Sequence, residues 1–249
     1  MELVWQALGF DGLPLLIIAV MIAGLVRGFS GFGAALIFVP LAALVLQPVW
    51  VIVVLLIFDS IGPMSMLRRA WREGEPKDVG LLGLGALLGM PVGFYLLTKM
   101  SPELFRWLVC LMSFAMLAAL AGGWRYRNPL NEAMTIFVGT ISGVLQGVAG
   151  LPGPPVILSY LSSPRNPAVV RANTMMYLVL VDLMALGVLA IKGLLALFPV
   201  LIGIVLVPPY TLSALIGQRI FKPDRVRFYR IVASAVIAAS AIAGLPVWE

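Results

Sequence analysis

The sequence contains no histidine and a single cysteine, Cys110. A disulfide within the chain is excluded. Zinc, haem and histidine-based acid–base catalysis lack their usual ligands and bases, so neither a metal centre nor a cofactor is expected. Cys110 falls inside the apolar run Trp107–Gly122 and reads as a small buried hydrophobe. Charge is scarce: 11% of the 249 residues are charged, against about 25% in ordinary soluble domains. Long polar and low-complexity tracts are missing, which excludes disorder. No G-x-x-x-x-G-K-[ST] segment occurs, so ATP-driven work by this chain alone is not expected. Only Glu2 and Asp11 lie ahead of the first apolar run, and no C-terminal lipidation motif is present; neither a cleaved signal peptide nor a lipid anchor is expected.

What the chain has in excess is apolar surface. Hydrophobic residues make up 61% of it, and its mean hydropathy is +1.06. A soluble globule of this size leaves roughly a quarter of its unfolded surface exposed, too much to hide such a composition. The net charge of +6 comes from 17 basic residues set in short clusters between apolar runs. That is how cytoplasmic loops of membrane proteins read, and it argues against a nucleic-acid partner.

A full span needs about 20 apolar residues. Clear runs are Val49–Met66, Leu81–Leu97, Trp107–Gly122, Thr174–Ile191, Leu195–Gly217 and Tyr229–Val247. Two further stretches, Leu13–Leu46 and Ala133–Leu161, are long but interrupted, the first by Arg27–Gly33 and the second by Gly147–Pro155. Glycine and proline support a helix poorly there, so each stretch is expected to form two shorter helices around a tight turn, a hairpin short of a full crossing. New half-helices are expected from about Ala34 and from Pro154–Val156. The longest polar stretches, around Arg68–Asp78 and Gln218–Arg230, read as loops, and no soluble domain is expected.

The halves resemble each other. Gly28–Gly33 corresponds to Gly147–Gly153, Leu55–Asp59 to Leu178–Asp182, and Pro102–Arg106 to Pro223–Arg227. Three matches in one order indicate an internal duplication, with residues 1–124 as the first membrane repeat and 125–249 as the second repeat of a single transport domain. Five passages per half, an odd number, make the repeats inverted, as in many secondary transporters. The expected fold is therefore an all-α polytopic membrane protein of two inverted repeats, each opening with a Gly/Pro-broken hairpin. With each hairpin arm counted as a passage and both termini outside, fourteen of the basic residues fall inside and only Lys99, Arg106 and Lys192 fall outside. The six tryptophans, Trp5, Trp50, Trp71, Trp107, Trp124 and Trp248, sit near segment ends, where indoles favour the interface.

The two glycine turns are the sharpest chemical feature. Glycine lets the backbone approach a ligand closely, and the helix that begins after the turn offers unpaired N–H groups and partial positive charge to an anion. Inverted repeats would bring the two tips toward each other near the midplane. Candidate anion-binding residues are Arg27, Ser30, Gly31, Phe32 and Gly33 at the first turn and Gln146, Gly147, Gly150 and Gly153 at the second, with Asn173 and Tyr177 as weaker candidates. Tight helix packing is the competing reading of the same glycines. Asp59 and Asp182 fall near the middle of expected spans and correspond between halves. A carboxylate at such depth faces a cavity or a partner, so it either carries a coupling proton or caps a hairpin tip. Arg27 reads as an anion counter-charge, a partner for Asp59, or a snorkelling anchor. The cluster Arg219–Arg230 reads as a topology signal in contact with anionic lipid.

The segments Gly24–Pro40 and Gly139–Pro155, with the paired Pro-acidic-basic starts Pro102–Arg106 and Pro223–Arg227, resemble the TauE/SafE family of sulfite exporters, also called TSUP, over nearly the whole chain. The second segment departs from a plain glycine run by carrying Pro152, Pro154 and Pro155. The resemblance implies a multi-pass inner-membrane transporter, not an enzyme, exporting sulfite, a sulfonate such as sulfoacetate, or another small organic anion. Partners are expected to be that anion, membrane lipid and, at most, a second copy of the chain: a monomer or homodimer. Two other readings fit the residues: a small-cation (Na⁺) transporter in which the two aspartates bind the ion, and a channel-like or scaffold membrane protein.

Overall fold

A computed structural model describes residues 2–122, 131–161, 166–221 and 226–247. The basic residues Arg125, Arg127, Arg165, Lys222 and Arg225, together with Pro223, Trp124 and Trp248, lie outside the described residues. Everything regular among the described residues is helix. In chain order the elements are α1 (Glu2–Leu8), α2 (Leu13–Ser30), α3 (Ala34–Ala42), α4 (Pro48–Ile61), α5 (Met64–Glu73), α6 (Pro76–Lys99), α7 (Pro102–Ala121), α8 (Glu132–Ala149), α9 (Gly153–Leu161), α10 (Pro167–Ile191), α11 (Leu197–Ile220) and α12 (Val226–Gly244).

Six of these are long and apolar enough to cross a membrane: α2, α6, α7, α8, α10 and α11. The two interrupted stretches do break at their glycines, but unequally. The leading helices α2 and α8 have 18 residues each, about 27 Å, so the first arm is not shortened. Only α3 and α9, nine residues each, fall well short of a hydrocarbon core of about 30 Å. The new helices start at Ala34, as the glycine pattern indicates, and at Gly153, one residue ahead of the prolines.

Three other expectations are corrected. The apolar run Val49–Met66 is not one helix, because it breaks at Gly62–Pro63. Pro63 has no N–H to give the carbonyl of Asp59, and its ring would strike that carbonyl. Asp59 consequently lies in the last turn of α4, not at mid-span, whereas Asp182 is well inside the unbroken α10. The stretch Arg68–Asp78 is no loop: it is helical through α5 and the start of α6, with Arg68, Trp71 and Arg72 exposed. The short α1 carries no apolar run long enough to announce it.

The chain packs as two compact units. One comprises Met1–Gly62, Met100–Leu117 and Gly193–Glu249, and the other Pro63–Lys99 and Ala118–Lys192. Each unit therefore takes helices from both halves of the sequence. In the first, α11 packs along α2 and α4, and α12 along α3. In the second, α8 packs along α6, and α10 contacts α5, α6 and α9.

Small residues set the closest contacts. A Cβ on Gly85, Gly89 or Gly93 of α6 would strike the backbone of Ile136, Thr140 or Val144 in α8. Conversely, one on Gly139, Gly143 or Gly147 would strike Leu82, Ala86 or Met90. The matched residue numbers rise together, so α6 and α8 run parallel. The first unit repeats the device: Gly24 and Gly28 of α2 lie against Tyr210 and Ala214 of α11, and Gly217 lies against Leu25. With no hydrophobic drive between helices in lipid, such backbone proximity supplies the packing contacts. The larger apolar side chains, such as Leu87 and Leu88 on α6 and Leu212 and Leu215 on α11, point outward and stay exposed.

Gly143→Leu is expected to lower stability by about 1–3 kcal/mol, the usual cost of overpacking, and to broaden the detergent gel-filtration peak. Gly187→Ala is the control: its Cβ meets nothing, and a helical Gly→Ala change is favourable by up to about 1 kcal/mol. Thermal unfolding of the two variants checks the contrast.

Candidate functional site

In the first unit α2 ends where Gly31 adopts φ 81°, and its N–H closes the last turn onto the carbonyl of Arg27 at 2.8 Å. Gly33 repeats the left-handed conformation with φ 96° and starts α3. An L-residue with a Cβ rarely tolerates either. Ser30 Oγ sits 2.7 Å from the Val26 carbonyl and 2.6 Å from that of Phe32, and it accepts the Phe32 N–H at 3.3 Å. It braces the turn from inside. Phe32 is half-buried at the tip. The first N–H groups of α3 receive no side-chain cap.

One turn back from Gly31, Arg27 Nη1 donates to Asp59 Oδ2 at 2.9 Å. Their side chains are 10% and 7% exposed. The other Asp59 oxygen accepts the hydroxyl of Tyr210 from α11. Tyr210 is packed on Phe58, with ring centroids 4.8 Å apart, and Gly62 leaves room for it, since a Cβ there would come 2.6 Å from the ring. The carboxylate thus ties the end of α4 to the last turn of α2 and to α11.

The second unit repeats the plan with different chemistry. Gly150, at φ 66°, ends α8, and its N–H bonds the carbonyl of Gln146 at 2.9 Å. Gln146 stands where Arg27 stands, four residues before the left-handed glycine. Its Nε2 donates to Asp182 Oδ1 at 2.9 Å, so each of the two carboxylates is tied to a hairpin, one by a cation and one by a neutral amide. Gln146 is fully buried, and its Oε1 receives no hydrogen bond. The turn itself is braced by Ser142 Oγ, which donates to the Pro152 carbonyl at 2.5 Å and accepts the Tyr177 hydroxyl at 2.6 Å.

Gly147 faces α6 in the packing seam. Gly153 is half-buried, with its Cβ direction 3.3 Å from Ile157. Asn173 is fully buried and accepts the Glu75 N–H at 2.7 Å, just ahead of α6; its Nδ2 has no partner. Arg106 is buried on α7 and donates to the carbonyls of Gly244 and Leu245 at the end of α12, a cation on helix-terminal carbonyls. Tyr210 and Ser142 join these groups although the sequence pattern does not single them out. Ser142 lies four residues before Gln146, on the same helix face, which is a signal; Tyr210 follows Pro208–Pro209 and has none. Among the described residues no three His, Cys, Asp or Glu side chains gather as a metal site.

The family model described as "Sulfite exporter TauE/SafE" matches residues 16–244. No curated protein and no solved structure matches the chain.

Arg27→Leu leaves Asp59 buried without its cation and is expected to cost about 3–5 kcal/mol, while the double variant R27L/D59L recovers most of it. Gln146→Leu removes a neutral donor and should cost about 1–3 kcal/mol. Thermal unfolding in detergent orders the three variants; an unchanged midpoint for R27L contradicts the assignment.

Proposed function

The chain belongs to the sulfite exporter TauE/SafE family, and on that premise we propose that it is a secondary transporter of the cell inner membrane that exports sulfite or an organosulfonate such as sulfoacetate. Multi-pass membrane character and a transporter's role follow from the family and from the six span-length apolar helices. The choice of cargo, alternating access by the duplicated halves, proton coupling, and termini on the periplasmic side are our reading.

The observation that carries it is the first glycine turn. Gly31 and Gly33 bend the backbone so that α3 begins inside an apolar protein with no side-chain cap on its first N–H groups. Such groups, at the positive end of a helix, suit a small oxyanion. Arg27 lies one turn away on the leading helix, its charge already matched by Asp59, so an incoming anion meets backbone donors and not a bare cation that would hold it too tightly to release. The second turn offers fewer donors, because Pro154 and Pro155 at the start of α9 have no N–H.

A cation carrier is the second reading, favoured only by the two buried aspartates. Asp59 speaks against it, since its oxygens take donors from Arg27 and Tyr210. A melting panel on purified protein separates the readings: sulfite, sulfate, thiosulfate, sulfoacetate, isethionate, acetate and Na⁺ at matched ionic strength. A ligand present at about 100 times its Kd stabilises the folded state by roughly 2.7 kcal/mol. The expected result is a shift with sulfite or a sulfonate and none with Na⁺. A shift with Na⁺ alone overturns the anion reading.

A further inference from the structure

We infer that Asp182, with Gln146 as its positioning residue, is the proton-carrying carboxyl of this protein and that Asp59 is a static structural one; the transport role of that proton rests on the reading above, but the protonation itself does not. The two residues correspond between the halves, and so do their partners, yet the partners differ in the property that decides proton chemistry. A guanidinium only donates hydrogen bonds and is permanently charged. The Arg27 contact at 2.9 Å therefore favours the carboxylate, because protonating Asp59 would leave the buried cation uncompensated. Tyr210 donates to the same group from the other side.

A primary amide both donates and accepts. Gln146 presents Nε2–H to Asp182 Oδ1 at 2.9 Å, and its Oε1, fully buried, receives nothing. Turned over about its terminal torsion, the same amide places that oxygen to accept the O–H of a carboxylic acid. The same amide can thus bond Asp182 Oδ1 in either protonation state, with no change of net charge on the partner. The step is a simple one: a proton from water adds to a carboxylate oxygen, giving the neutral acid, and leaves by the same route.

The surroundings fit. Along α8 the sole charge is Glu132 at its far end, and α9 has none. On α10 the other charge is Arg171, about three turns before Asp182; Tyr177 is an electrostatic neighbour of Asp182, and Tyr160 of α9 is in turn a neighbour of Tyr177. The charges of α6 are Lys77, Asp78 and Lys99, at its two ends, and those of α5 are Arg68, Arg69, Arg72 and Glu73. A metal ion fits less well than a proton. It needs several oxygen ligands, and among the described residues no three His, Cys, Asp or Glu side chains gather as a site.

The test is infrared difference spectroscopy of the purified protein between acidic and alkaline buffer, read in the region of the protonated-carboxyl C=O stretch. Wild type should show a band that D182N lacks and that the double variant R27Q/D59N, which removes both charges of the other pair and so avoids a stranded cation, retains. Gln146→Leu should keep the band but move its frequency, because the amide bonded to the acid is gone. Any of three results overturns the assignment: a band that survives in D182N, a band lost in R27Q/D59N, or no pH-dependent buried-carboxyl band in wild type. An unmoved band in Gln146→Leu overturns the positioning role. None of these readouts requires an anion, so a failure of sulfite recognition would leave them intact and show only in the melting panel.

Discussion

A carboxylate inside a membrane protein has to be met, and the way Asp59 is met holds the first unit together. Its two oxygens take Arg27 from the last turn of α2 and Tyr210 from α11. That one group therefore fixes the helix that leads into the glycine turn, the helix that ends at Gly62–Pro63, and the parallel partner of α2. Isolated burial of the charge would be prohibitive; paired and hydrogen-bonded, it sets where the turn at Gly31–Gly33 sits. The glycine seams then let α2 and α11 approach closely enough for Tyr210 to reach.

Much of this is visible in the residues alone. The apolar excess and the scarcity of charge give the membrane class, and Gly31, Gly33 and Gly150, three of the four positive-φ glycines among the described residues, fall at the turns where the long apolar stretches are broken. The family resemblance rests on those same two segments. Other features are hidden for physical reasons. Gly62–Pro63 lies in continuously apolar sequence, so hydropathy runs straight through the break that puts Asp59 at a helix end. The arginines of α5 look like a loop because a short amphipathic helix and a basic loop have the same composition. The pairing of Asp59 with Tyr210 spans 151 positions, and no local pattern encodes so distant a partner. The compact units mix helices from both halves, which a reading by consecutive segments does not reach.

The two turns share a plan and differ in chemistry. Arg27 and Gln146 occupy matching places, one turn ahead of the left-handed glycine, and each reaches its aspartate at 2.9 Å. The first turn combines a charge-matched arginine with uncapped N–H groups at α3. The second combines a neutral amide with prolines that remove donors from α9. In the roles proposed above, one geometry serves anion recognition at the first turn and proton handling at the second.

The most direct measurement is efflux of sulfite and of sulfoacetate from loaded proteoliposomes carrying the purified protein, with Gly31→Val as the paired variant, checked for monodispersity before reconstitution. Wild type is expected to discharge at least one of the two anions well above protein-free liposomes, and a folded Gly31→Val protein is not. Retention of both anions by wild-type liposomes at the protein-free level, or undiminished efflux through Gly31→Val, would contradict transport at the first glycine turn.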